Sequence, residues 1–307
     1  MTRTLALVES PAQFLGLLEW ALGERDGAPD PGRCEVGVLL PRDPVTRRQL
    51  GAMAELARAE GIGAGLYDLR GVPTGLPRAV AALGPRLTGA GRLVTGGPPS
   101  GIVRRLLSLS RARELVLLDD GTANPAAARV ARPAAPGHGR RVEVFSCRPE
   151  ALRLPPGAVT SRNTYGWARQ RYGPPQVRPG VDLIGTSLTE SGPTDPERYL
   201  REIVRLADEL NAERYFAHRR EDPDMLRLIA EYAELDVVRP ELPLEIELLR
   251  GPVAETLIGL SATVLHTLPH ALAGTGVEIT VHTDAVDRPG ADVSPPTTAL
   301  PEEVIHI

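Results

Sequence analysis

The 307-residue chain is 42% apolar with a formal net charge of −4. That is enough apolar material for two ordinary domains or one large one, with no charge excess of the kind that binds nucleic acid. All 35 basic residues are arginine, which excludes a P-loop lysine, a Schiff-base lysine and a lysine general base, so any anion must be held by arginine, histidine, hydroxyls or backbone amides. Cys34 and Cys147 have no metal-ligand spacing and read as small core residues, neither a disulfide framework nor a zinc site. The apolar run Thr4–Val8 is too short for a signal h-region, and no run approaches the ~20 residues that span a bilayer, which points to a soluble, cytoplasmic protein.

Taken in order, Leu5–Val8 reads as a buried strand. Ser10-Pro11 then supplies a helix cap and first helical residue, with Phe14, Leu15, Leu17, Leu18 and Ala21 at helical spacing and Gly23 as the stop. Strands are expected at 36–40, 65–69, 92–95 and 115–118, alternating with helices at 44–59, 76–83 and 102–109. Residues 122–178 break this rhythm, with a helix expected at 126–131, a strand at 142–147 and a helix at 163–172. The Gly/Pro-dense stretch 173–180 reads as a linker and divides the chain into domains 1–175 and 176–307. A second alternation follows: strands at 181–185 and 214–217, helices at 195–210 and 222–232, and a strand at 236–239. Helical segments are then expected at 243–249 and 252–257, strands at 262–266 and 276–282, and an extended tail at 287–301. Alternation of this kind predicts an α/β protein with mostly parallel sheets, in two Rossmann-like doubly wound domains facing a central cleft.

Two strand ends carry candidate chemistry. The run Glu114–Leu118 terminates in Asp119-Asp120-Gly121, and adjacent carboxylates at the carboxyl end of a parallel strand suit a general base. A solvated turn is the competing reading. The second is His218-Arg219-Arg220 in Tyr215-Phe216-Ala217-His218-Arg219-Arg220-Glu221, a credible phosphate site at a strand-to-helix turn. Here the alternative is ordinary pairing of the arginines with Glu221, Asp222 and Asp224. Ser261 and Thr263 offer short hydroxyls, while Glu245 and Glu247 could accept from ribose or simply complement a helix dipole. His266 and His270 lie four apart, but Pro269 between them argues against one helix presenting both, so no metal pair is read. No Gly-x-Gly-x-x-Gly follows the first strand, which disfavours a dinucleotide cofactor.

Five segments in order resemble the bacterial sialyltransferases of the polysialyltransferase and lipooligosaccharide type: Val8–Leu15, Leu118–Thr122, Tyr215–Glu221, Pro243–Glu245 and Ser261–Leu268. The resemblance implies a two-domain transferase of the GT-B type that inverts the anomeric centre, requires no metal or cofactor, and uses a CMP-activated nonulosonic acid as co-substrate with a glycan or small-molecule acceptor. Asp119, with Asp120 beside it, would deprotonate the acceptor hydroxyl. Glu9, Ser10 and Gln13 would lie on the acceptor side of the N-terminal domain. His218 would bind and protonate the departing phosphate, with Arg219, Ser261 and Thr263 holding it and Glu245 on the nucleotide. The chain departs from the pattern in two places, with Arg219 after the histidine where the family has proline, and Ala262 between the paired hydroxyls. A transferase or epimerase using another nucleotide sugar, or a catalytically silent nucleotide-binding relative, shares these features.

Overall fold

A computed structural model describes residues 2–24, 27–69, 75–97, 99–119, 140–154, 156–187, 189, 195–260 and 264–282. The chain divides into two compact units, Met1–Arg171 with Glu241–Pro243, and Tyr172–Pro240 with Leu244–Ile307.

In the first unit β1 (Thr4–Val8) is buried along its whole length, as expected of a parallel strand covered on both faces. Its helix α1 (Pro11–Leu22) starts where Ser10 Oγ accepts from the Gln13 amide and Pro11 takes the first turn, and stops at Gly23. The alternation continues through β2 (Cys34–Leu39), α2 (Pro44–Ala59), β3 (Gly63–Tyr67), α3 (Gly75–Gly89), β4 (Arg92–Gly96), α4 (Gly101–Ser108), β5 (Glu114–Leu118), β6 (Arg141–Ser146), β7 (Ala158–Arg162) and α5 (Gly166–Tyr172). The seven strands pair in the order β3-β2-β1-β4-β5-β6-β7, all parallel. A cluster including Leu5, Leu7, Leu83, Val103, Leu106, Leu115, Leu117 and Val144 packs one face. Buried Glu19 of α1 holds the start of α5, accepting from the Trp167 and Ala168 amides at 3.1 and 2.9 Å.

The second unit repeats the plan with β8 (Val177–Ile184), α6 (Pro196–Leu210), β9 (Ala212–Phe216), α7 (Pro223–Tyr232), β10 (Asp236–Val238), α8 (Leu244–Arg250), β11 (Val253–Gly259), α9 (Val264–Ala271) and β12 (Glu278–Val281). Its five strands are parallel in the order β10-β9-β8-β11-β12. Asp182, wholly buried in β8, accepts from Arg178, from Arg214 and from the Ala254 amide. A charge that deep requires such a complete shell of donors.

The structure corrects several expectations. The helix expected at 252–257 is replaced by the strand β11 (Val253–Gly259). The mostly buried sequence Val-Ala-Glu-Thr-Leu-Ile-Gly pairs on both sides, with β8 and β12. The strand expected at 262–266 is replaced from Val264 onward by α9, which does present both His266 and His270, with Pro269 inside the helix. The proline sits near the end of a short helix, where a missing amide costs a single bond. The strand β7 was not foreseen, and the linker at 173–180 is strand from Val177. The helix expected at 126–131 and the tail at 287–301 lie outside the described residues.

Candidate functional site

In doubly wound sheets ligands are met outside the carboxyl ends of the strands, at the point where the strand order reverses. That point falls between β1 and β4 in the first unit and between β8 and β11 in the second.

In the first unit, Glu9 follows β1. Its amide donates to Gln13 Oε1 at 2.9 Å, and its carboxylate accepts from the Ser100 amide at 3.3 Å. Ser100 in turn caps α4, accepting from the Val103 amide. Gly96, at the end of β4, has the Gln13 amide against it, where a Cβ would overlap. Glu9, Ser10 and Gln13 are therefore brought together at the reversal, held by the cap of α1. One strand further, Asp119 leaves β5. Its amide donates to the Phe145 carbonyl at 2.9 Å, and Oδ2 accepts from Ser146 Oγ at 2.7 Å. The same Ser146 oxygen accepts from the Arg148 amide at 3.0 Å, so the hydroxyl proton is directed at Asp119. The carboxylate is half-buried and fixed in orientation. Asp120 lies outside the described residues.

In the second unit His218 stands two residues beyond β9. The Arg220 amide donates to His218 Nδ1 at 3.3 Å, which leaves the ring proton on Nε2. Burial, and then the charges of Arg219 and Arg220, lower its pKa to about 4, so at neutral pH the ring is an uncharged Nε2–H donor. Glu221 is turned inward, its Oε1 accepting from the hydroxyls of Tyr215 and Tyr199 and its Oε2 from the His218 amide. Asp222 caps α7 and Asp224 pairs with Arg227. Glu245 is half-buried in the first turn of α8, where Glu247 stands 3.8 Å from Arg250. Ser261 and Thr263 lie outside the described residues. Among the described residues no group of three or more His, Cys, Asp or Glu side chains is placed to hold a metal ion. Both cysteines are buried, and burial pushes the Cys34 thiol up to about 12, which removes it as a nucleophile at neutral pH.

Residue type alone does not single out Ser100, Ser146, Tyr199 or Tyr215, which hold Glu9, Asp119 and Glu221. The signal for Ser146 was positional, since it ends β6 at the carboxyl edge of the sheet. Tyr199 and Tyr215 carried none, because aromatic residues at helix and strand spacing read as core.

No family model matches the sequence, and no curated protein sequence does. Solved structures do. A putative UDP-N-acetylglucosamine 2-epimerase from Listeria monocytogenes superposes with a TM-score of 0.54 at 14% identity, over 94% of this chain and 81% of that one. The MnaA–UDP co-structure from S. aureus gives 0.53 at 9% identity, over 88% and 78%. The heptosyltransferase WaaC of E. coli with ADP is looser, at 0.42 and 14% identity over 91% and 86%. At these identities the first two likenesses speak for fold: the chain has two Rossmann-like doubly wound units of the GT-B type.

Proposed function

We propose that this protein is a nucleotide-sugar-dependent enzyme whose second unit holds the nucleotide phosphate and whose first unit supplies the base. The observation that carries the reading is the turn after β9, where an uncharged His218 Nε2–H and the two guanidinium groups of Arg219 and Arg220 follow a strand end. This is a donor set for phosphate in a protein without lysine. In the transfer step, Asp119 takes the proton from an acceptor hydroxyl while its oxygen forms the new bond at the anomeric carbon. The bond to the phosphate oxygen breaks with its electron pair, and the nucleotide departs held by His218, Arg219, Ser261 and Thr263, with Glu245 on the nucleotide and Glu9, Ser10 and Gln13 on the acceptor side.

For the donor, the segments at 8–15, 118–122 and 215–221 support a CMP-activated, sialic-acid-like nonulosonic acid. The second reading is a UDP-sugar epimerase or transferase, favoured by the two structures of like fold whose descriptions name UDP or UDP-N-acetylglucosamine. Melting temperatures with millimolar CMP, UDP and ADP decide between them, because a ligand bound only to the native state stabilises it. A rise with CMP alone supports the first, a rise with UDP alone supports the second, and no rise with any of the three overturns the proposal. Slow release of free CMP from CMP-sialic acid without acceptor separates an active transferase from a silent binding protein.

A further inference from the structure

We propose that Glu221 is a positioning residue, and that with Tyr199 and Tyr215 it forms a buried brace setting the His218 turn and the Gly185–Thr186 turn against each other at the ligand edge of the second sheet. The inference deepens the phosphate role given to His218 and rests on it.

Glu221 is 5% exposed, and the two tyrosines are wholly buried. The carboxylate closes the turn on itself. Oε2 accepts from the His218 amide at 2.5 Å, while the Glu221 amide donates to the His218 carbonyl at 3.0 Å. Both backbone polar groups of His218 are thus held by one residue, and the Arg220 amide fixes the ring. Oε1 accepts from Tyr215 and, at 3.2 Å, from Tyr199; the two hydroxyls are 2.7 Å apart. The Tyr199 oxygen then receives the Thr186 amide at 3.2 Å. Gly185 completes the contact, since a Cβ there would overlap both the Tyr215 hydroxyl and Glu221 Oε2.

The chain of bonds runs from the turn after β8, at the reversal of strand order, to the turn after β9. Burial, followed by the Glu221 charge, raises both phenols well above their ordinary range, so both remain donors. Stability does not require this arrangement, because an apolar trio of similar volume is often as stable as a buried ionic one. What the carboxylate supplies that an apolar side chain cannot is a directed acceptor for the His218 amide, and hence a fixed direction for Nε2–H.

Glu221→Gln tests this. The amide group retains the shape but sets a donor against either the His218 N–H or the tyrosine hydroxyls. In full-length protein the variant is expected to exchange its His218 amide at least tenfold faster than wild type, with amides of β8 unchanged. As the turn loosens and the ring gains solvent, the burial that lowers the His218 pKa is relieved, so the imidazole should titrate above 4 by NMR, and CMP or UDP, whichever binds wild type, should bind at least tenfold more weakly. Tyr199→Phe should release the Thr186 amide in the same assay. Wild-type His218 exchange and titration in a folded Glu221→Gln would overturn the proposal. If that variant does not fold, Tyr215→Phe takes its place with the same readouts, and unchanged His218 exchange there has the same meaning. If wild type binds none of the nucleotides, the phosphate role falls while exchange and titration still decide the role of Glu221.

Discussion

His218 is worth following as a single residue because its ionisation leaves a mark on stability. An unfolded histidine takes its proton near pH 6.5, whereas this one takes it near 4. Between those values the unfolded chain holds the extra proton, so lowering the pH favours unfolding. At pH 5 the cost is about 2 kcal/mol relative to neutral pH. In urea titrations at pH 7 and pH 5, wild type should lose about that much more stability than His218→Gln. An equal loss in both would remove the depressed ionisation. Asp119 makes its own prediction. Asp119→Asn should keep nucleotide affinity and lower turnover by about 10²–10⁴-fold, the usual share of a general base, whereas wild-type turnover would remove it from that role. Ser146→Ala, which removes the Ser146 hydroxyl from Asp119 Oδ2, should give a smaller loss in the same assay.

Much of the fold was legible at the scale of elements, and for identifiable reasons. The sequences Ser10-Pro11, Asp43-Pro44, Asp195-Pro196 and Asp222-Pro223 each start a helix where expected, because an oxygen-bearing cap followed by proline satisfies the first turn. Gly251-Pro252 lacks such a cap, and there the strand β11 stands where a helix is expected at 252–257. Of the site, the ends of β5 and β9 were legible because carboxylates and a histidine stood at the ends of apolar runs. The Tyr199–Tyr215–Glu221 contact was not, because it joins a helix, a strand and a turn that only the folded sheet brings together. Gly185 exposes that contact to a direct test. Gly185→Ala places a methyl group on the Tyr215 hydroxyl and should destabilise by about 1–3 kcal/mol, as overpacking does. A denaturation midpoint equal to wild type would contradict the packing described for this turn.

At the scale of the molecule, each unit has its own sheet and its own buried cluster, with Leu183, Tyr199, Ile203, Tyr215, Leu226 and Ile229 in that of the second. The buried Asp182 belongs to the second unit. Asp182→Ala leaves Arg178 and Arg214 without their shared carboxylate and should cost about 3–5 kcal/mol. Calorimetry should show the loss in the unfolding of the second unit, and a fall confined to the first would contradict the assignment. The partition of the chain has one further consequence, for anyone wishing to exchange donor preference between proteins of this fold. Glu241–Pro243 cluster with the first unit although the chain on either side belongs to the second. The second unit is therefore not a contiguous cassette. A gene fusion cut once at Tyr172 would carry across with the graft three residues that belong to the first unit.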